Sequence, residues 1–390
     1  MIISLFLILI GLLLFLLMFA LDLKNEKPKL KKRTSCEYAV LIPARNESKV
    51  IENLLKSISI QADLKDTYVI VESKDDPTCK IVDSYGGNII VRKDLTKKRK
   101  GYALDEALKE IKKKYDLYFI FDADNVLDKH FIKNLLKTYK EGYDIGIGYR
   151  NIKNSENVIT SCSGLTFSMI NTLLNEYRMK INKTITVSGT GYFISGELIE
   201  KWGGFPFHTL TENYELSLYA TANNLNTCYN ANAVFYDEQP TKLKVSISQR
   251  TRWVKGFLES RNLRLKDVTA DVSKIIGITP YLFIIGGLLL LLLISIGVTI
   301  RNMVIGINYR LYFNLSLSII LGVYLLLVLF TLILLIKEGN KLNISFIEKV
   351  KAAFFNPIFL STYVICLIKA ITTDVSWDRI EHTGKTKKAS

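Results

Sequence analysis

Leu117–Asn125, LYFIFDADN, is an apolar run closed by two carboxylates, Asp122 and Asp124. A short apolar run bounded by turn residues reads as a buried strand. Carboxylates at i and i+2 project to the same side of a strand end. Oxygen ligands placed there can hold a hard divalent cation. A turn-forming Asp pair would be spelled the same way, so the neighbouring stretches must be weighed with it.

Strand and helix signals alternate on either side. Upstream, YAVLIPA (38–44) reads as a strand and ESKVIENLLKSI (47–58) as a helix. TYVIVES (67–73), a helix ending at Gly86, NIIVRK (88–93) and a helical GYALDEALKEIKKKY (101–115) follow. Downstream, KHFIKNLLKTYKEG (129–142) reads as another helix. This alternation predicts βαβ units and a mostly parallel sheet. Ligands then bind at the C-terminal ends of the strands, where Asp122 and Asp124 fall.

Of the 390 residues 49% are hydrophobic, and the long apolar runs lie at the two ends, as in a membrane protein. Residues 1–23, 275–300, 311–336 and 353–371 read as crossings, and 243–270 and 342–352 as amphipathic helices in the headgroup layer. The cationic stretch Lys24–Arg33 follows the first run, which fits an anchor with its N-terminus outside. The expectation is a multi-pass protein of the plasma membrane with the middle of the chain in the cytosol. Four crossings would place the basic tail, 372–390, outside, against the positive-inside tendency. One stretch is therefore re-entrant or interfacial, or the charge bias is overridden.

The net charge of +15 gathers beside the apolar runs and reads as topogenic. No basic stretch interleaves with stacking aromatics, so no nucleic acid is expected. Five scattered cysteines and three histidines argue against a zinc site and suit a reducing compartment. No partner protein is evident.

Two more stretches carry chemistry. In KKRKGYALDEAL (97–108), Lys98, Arg99 and Lys100 precede Gly101 at a helix start, which suits phosphate. In SISQRTRWVKG (246–256), Gln249, Arg252 and Trp253 share one helical face. An indole is a stacking platform for a sugar, and a guanidinium fork meets phosphate. A solvated basic loop and an interfacial Trp are the plain alternatives.

Their order decides. LIPARNES, VIVESKDDPT, KRKGYAL, FDADN, SGTGYFIS, LTENYEL, YDEQPT and QRTRWVKG follow one another along the chain. In this order the chain resembles the membrane-embedded family-2 glycosyltransferases. Within them it is most similar to processive synthases of cellulose, mixed-linkage β-glucan, hyaluronan and poly-N-acetylglucosamine. The resemblance covers about Tyr38 to Gly256, with the layout of the spans. It implies a GT-A-type, Rossmann-like α/β mixed-sheet domain over 34–242 in the cytosol, fused to a bundle of transmembrane helices. It also implies an inverting, processive transfer that uses Mg²⁺ or Mn²⁺ and a UDP-sugar, with UDP-glucose the first expectation. The acceptor would be a growing β-linked polysaccharide, passed through the lipid bilayer.

The resemblance places roles on single residues. Pro43, Ala44, Arg45, Asn46 and Glu47 would form the first nucleotide-binding loop, with Glu72 at the uracil base. Lys100 and Gly101 would lie near the nucleotide. Asp122 and Asp124 match the family's Asp-x-Asp, with Asp124 the expected direct ligand of the metal. Gly189, Thr190 and Gly191 would line the acceptor entrance. Gln249, Arg252 and Trp253 match the Gln-x-x-Arg-Trp signature. Arg252 would reach the diphosphate, and Trp253 would hold the acceptor's terminal sugar.

An inverting transfer needs a base for the acceptor proton. In the family this is the Asp of a Thr-Glu-Asp triplet, but here the triplet is Thr211, Glu212 and Asn213. An amide cannot accept that proton. Three readings compete. Asn213 is a near-isosteric, engineered change that traps substrate. Alternatively Glu212 serves as base, ahead of Glu215, which a helix would turn elsewhere. Or the chain binds UDP-sugar without turnover. A non-processive transferase acting on a lipid acceptor is the rival among enzymes.

Overall fold

The computed structural model describes residues 30–268 and 279–375, together with five residues between 6 and 13. The chain divides into two units, residues 27–264 with 334–390, and residues 1–26 with 265–333.

The first unit is built on eight strands. They are β1 (Tyr38–Pro43), β2 (Thr67–Val71), β3 (Asn88–Val91), β4 (Leu117–Ile120), β5 (Val126–Leu127), β6 (Ile145–Ile152), β7 (Tyr192–Ser195) and β8 (Thr227–Asp237). Their order across the sheet is β3-β2-β1-β4-β7-β6-β8-β5. The half from β3 to β4 is parallel. β7 runs against both β4 and β6, β8 is parallel to β6, and β5 is antiparallel to β8. The sheet is therefore mixed, as the family resemblance implies, and the mostly parallel reading of the alternation holds only for the half from β3 to β4. Hydrophobic alternation marks a strand but carries no direction.

The helices of this unit begin with α1 (Ile51–Ser59), α2 (Thr78–Ser84), α3 (Lys100–Glu110), α4 (Phe131–Lys140) and α5 (Val158–Met169). A π-helical stretch, Ile170–Glu176, leads from α5 into α6 (Tyr177–Lys180). Then come α7 (Gly196–Trp202), α8 (Glu212–Ala222) and α9 (Leu243–Val268). Alternate residues of each strand feed two cores, one on each face of the sheet. Ala39, Leu41 and Ile120 pack with Leu104 of α3, Ile199 of α7 and Leu216 of α8. Val40, Ile42 and Phe119 pack with Leu54 of α1, Val82 of α2 and Leu135 of α4. A three-layer sandwich results, and the C-terminal ends of β1, β2 and β4 share one edge.

Beyond α9 the helices are α10 (Thr279–Val304), α11 (Arg310–Glu338), α12 (Phe346–Ser361) and α13 (Tyr363–Thr372). Among the described residues, two helical segments are long and apolar enough to cross a membrane, Arg310–Glu338 and Phe346–Thr372. Most of the expected first crossing, 1–23, and of the basic tail, 372–390, lies outside the described residues. α12 runs without interruption past residue 352, where the sequence reading passes from a surface helix to a crossing.

Candidate active site

At the end of β1 the chain leaves the sheet through Ala44, whose N–H still bonds Ile70 O at 2.8 Å. Asn46 then takes φ 56°, a left-handed turn that Asn tolerates. Asp76 fixes the turn by accepting the N–H groups of Asn46 and Thr78 at 2.7 and 2.9 Å, and the Thr78 hydroxyl accepts from Glu47 N. These bonds hold residues 46–50 as a loop, so α1 starts at Ile51 and not at Glu47. Arg45 Nε meets Glu72 Oε2 at 2.9 Å. The two residues expected at the nucleotide, one after β1 and one after β2, are thus brought together.

β4 ends one strand further along. The Asp122 N–H turns to the Thr190 hydroxyl at 2.7 Å, and that hydroxyl in turn donates to Asn125 Oδ1 at 2.5 Å. Thr190 is fully buried, so it positions the Asp122 backbone instead of lining an entrance. One carboxylate oxygen each from Asp122, Asp124 and Asp237 lies within 4.8 Å of the others. Asp237 ends β8 and reaches the site through its parallel register with Ile152. It accepts bonds from Arg150 Nε and Nη2, from Asn125 Nδ2 at 3.0 Å and from Gln239 Nε2 at 2.6 Å. Asp124 accepts the Glu238 N–H at 3.2 Å, and buried Lys153 donates to its carbonyl. An all-oxygen set held this firmly fits Mg²⁺ or Mn²⁺.

Lys100, at the start of α3, donates to Asp122 Oδ1 at 2.5 Å and to Gly189 O at 2.8 Å. It ties the Asp-x-Asp turn to the Gly189 loop. Gly101 follows because a Cβ there would lie 1.9 Å from Phe207 O.

α8 starts with the Thr211-Glu212-Asn213 triplet. Glu212 is buried, with 5% exposed. Desolvation pushes its carboxyl up to about 7, Lys100 and Arg252 pull it down, and Asp122 pushes it up further. Asn213 donates its amide to Val187 O at 2.8 Å. Glu215 faces the other way, accepting the N–H groups of His208 and Thr209 at 3.0 and 3.1 Å.

α9 lies across this helix start. Gly256 packs on Thr211, and a Cβ at 256 would sit 2.5 Å from Thr211 Oγ1. Glu259 accepts Leu210 N at 3.1 Å and meets both Arg99 guanidinium nitrogens, at 3.0 and 3.3 Å. Thr209 and Ser260 share a hydrogen bond at 3.0 Å. Gln249, Arg252 and Trp253 are half-buried, and the Trp253 ring meets Phe167 edge-on at 5.7 Å. The structure thus joins the three clustered carboxylates, the triplet and the Gln-x-x-Arg-Trp helix around one edge of the sheet.

A family model, glycosyltransferase like family 2, matches residues 36–256. The chain belongs to this family. A probable glycosyltransferase of Bacillus subtilis, YdaM, is 27% identical over 231 residues, which are 56% of this chain and 54% of that protein. A probable glycosyltransferase of Sulfolobus acidocaldarius is 26% identical over 244 residues, 58% of this chain and 51% of its own length. The chain therefore spans about half the length of these curated relatives. The solved structure of a mannosyltransferase from Pyrobaculum calidifontis, in complex with GDP-Man and Mn²⁺, covers 94% of this chain and 99% of its own. Its TM-score is 0.52 at 13% identity, a likeness of fold. That fold is a GT-A-like α/β domain on a mixed sheet.

For this family-2 domain the sequence reading overlooked Asp237 as a third carboxylate. YDEQPT stood out as a motif, but nothing local linked its Asp to residues more than a hundred positions away. Arg150 was also missed, because a strand arginine carries no signal until its buried counter-ion is known.

Proposed function

We propose that the domain moves a hexosyl group from a nucleoside diphosphate sugar to an acceptor hydroxyl, with inversion, and that Glu212 is its base. The observation that carries this reading is the burial of Glu212 beside Lys100, Asp122 and Arg252, with its carboxyl pushed up to about 7. Such a group can take a proton at neutral pH, as general bases are tuned to do. Asn213 has another task. Its amide donates to Val187 O, which an ionised Asp could not do. Among the three readings of the triplet, this supports the one with the proton at Glu212.

Asp122, Asp124 and Asp237 would hold Mg²⁺ or Mn²⁺, which when bound stabilises the charge on a diphosphate leaving group. Lys100 adds a fixed cation at the N-terminus of α3. The Arg45–Glu72 pair offers contacts to the nucleoside, Arg252 to the diphosphate and Trp253 to the acceptor sugar. We read the donor as UDP-glucose and the acceptor as a growing β-linked polysaccharide at the cytosolic face of the plasma membrane. Contact between α9 and an apolar C-terminal segment supports an acceptor that stays at the membrane. The same packing suits a single transfer to a lipid-borne acceptor, and product length separates the two.

Membranes carrying the chain are incubated with labelled UDP- and GDP-sugars and Mn²⁺ or Mg²⁺, and the products are sized and digested with linkage-specific hydrolases. Transfer should require Glu212, and Asn213→Asp should not accelerate it. A gain of about tenfold in Asn213→Asp, with Glu212→Gln unaffected, would return the base to position 213.

A further inference from the structure

We infer that Phe346–Thr372 lies in the plane of the membrane as an anchor of the catalytic unit and does not cross. The inference rests on the reading that this enzyme works at a membrane.

The segment is pinned before it begins. Leu334 and Leu335, in the last turns of α11, pack with Ile152, Cys162 and Leu165 of the catalytic unit. Lys337 Nζ meets Glu176 Oε2 at 2.8 Å, and Asn151 Nδ2 donates to Lys341 O at 2.6 Å. α12 therefore starts on the surface of the domain. Its inner stripe, with Ala352 and Phe359, stays against Cys162 and Leu165 in the same cluster.

The second half stays there too. Arg250 of α9 is 2% exposed, stacks on the rings of Phe359 and Tyr363 at 4.0 and 4.8 Å, and donates to Phe359 O at 3.2 Å. Cys366 Sγ lies 3.6 Å from Ile247 O. Lys255 Nζ donates to Ala370 O at 3.1 Å, so the last turn of α13 is level with the turn of α9 that follows Arg252 and Trp253. A crossing would carry the last turn roughly 30 Å from the first, through hydrocarbon. Lys255 and the acceptor-binding turn would have to follow it. Pro357 lies inside α12, and the single residue Thr362 separates α12 from α13.

The outer stripe fits lipid. Phe346, Ile347, Val350, Phe354 and Ile358 recur every three or four residues on α12 and are 44–78% exposed. On α13, Val364, Ile365, Ile368 and Ile371 are 45–66% exposed. Exposed Lys341, Lys351 and Lys369 accompany the stripe along its length, as on helices that sit among anionic headgroups. An apolar surface of this extent is unfavourable in water. α11, which precedes the segment in the chain, is itself apolar enough to enter a bilayer. An in-plane segment leaves the basic tail on the side of the catalytic domain, in keeping with the positive-inside tendency.

The test uses the full chain in sealed vesicles. In a Cys36→Ser background, where the other four cysteines are buried, reporter cysteines are placed by Ile60→Cys, on the catalytic unit, and by Ser390→Cys. A membrane-impermeant maleimide should label both in inverted vesicles and neither in right-side-out ones. Labelling in opposite vesicles would show a crossing and overturn the inference. Spin labels at Val350→Cys and Ile368→Cys should report one shallow depth, whereas a crossing would separate them by roughly 25–30 Å. Labels shielded from lipid would show a protein-covered face, which also overturns it. Alkaline carbonate washing tests the membrane reading separately. Release of the chain would sink both readings, whereas retention with opposite labelling would sink only the in-plane one.

Discussion

Asp237 and Glu212 are almost equally buried, at 3% and 5% exposed, yet they live in opposite surroundings. Asp237 is gripped by Arg150, Asn125 and Gln239, hydrogen bonds that fix its carboxyl in place. At Glu212 burial outweighs the pull of Lys100 and Arg252, and the carboxyl is pushed up to about 7. Asp237 is fixed by donors beside two further carboxylates, as the proposed cation site requires. Among the described residues Glu212 lacks such a set of donors and is the acid proposed to exchange a proton. The lesson is that depth alone does not assign a role to a carboxylate, whereas the donors around it do.

The largest expected effect breaks the contrast at Glu212. Glu212→Gln should lower kcat by about 10²–10⁴ while leaving nucleotide-sugar affinity within about twofold, as measured by turnover and calorimetry. An equal loss of affinity would make Glu212 a binding residue. At the other corner, Asp237→Asn strands the Arg150 guanidinium without its counter-charge. This should cost about 3–5 kcal/mol in denaturant unfolding, and an unchanged midpoint would contradict the account. Weaker Mn²⁺ binding should accompany it. Gly256→Ala sharpens the comparison from a third side by pressing on Thr211 at 2.5 Å. It should raise the acceptor KM by about tenfold and weaken donor binding less, because the docking of α9 is disturbed while the carboxylates at the sheet edge stay in place.

The pH profile tests the contrast without a substitution. Below about 7 the rate should rise about tenfold per pH unit, as Glu212 loses its proton, and level off above. Stability runs the other way. A carboxyl whose folded value lies above its unfolded one favours the folded state below about 4.5, and that gain is lost as pH rises through about 7. A bound cation near Asp122 should shift the acid limb downward. A flat rate profile would remove Glu212 from proton transfer.

Much of this was legible in the letters. LYFIFDADN announced a buried strand ending in two carboxylates, and Leu117–Ile120 is that strand, buried at every position. The Gly101 requirement was visible as a motif but not as a cause, since Phe207 O reaches it from a distant loop. The mixed direction of the sheet followed from the family resemblance and not from the alternation, because β7 returns between β4 and β6 after a long helical excursion. The departure at Asn213 was plain in sequence. Its meaning needed the Val187 carbonyl and the burial of its neighbour Glu212.

By itself the sequence determined the alternation of elements, the family motifs in their order, and the basic and apolar character of the ends. These are local properties, set by side-chain periodicity and by residue types a few positions apart. Only the tertiary structure decided which carboxylates meet, which of them loses its water, and where Phe346–Thr372 rests. Those depend on contacts between residues far apart in the chain, where strand register and burial set the electrostatic cost of every charge.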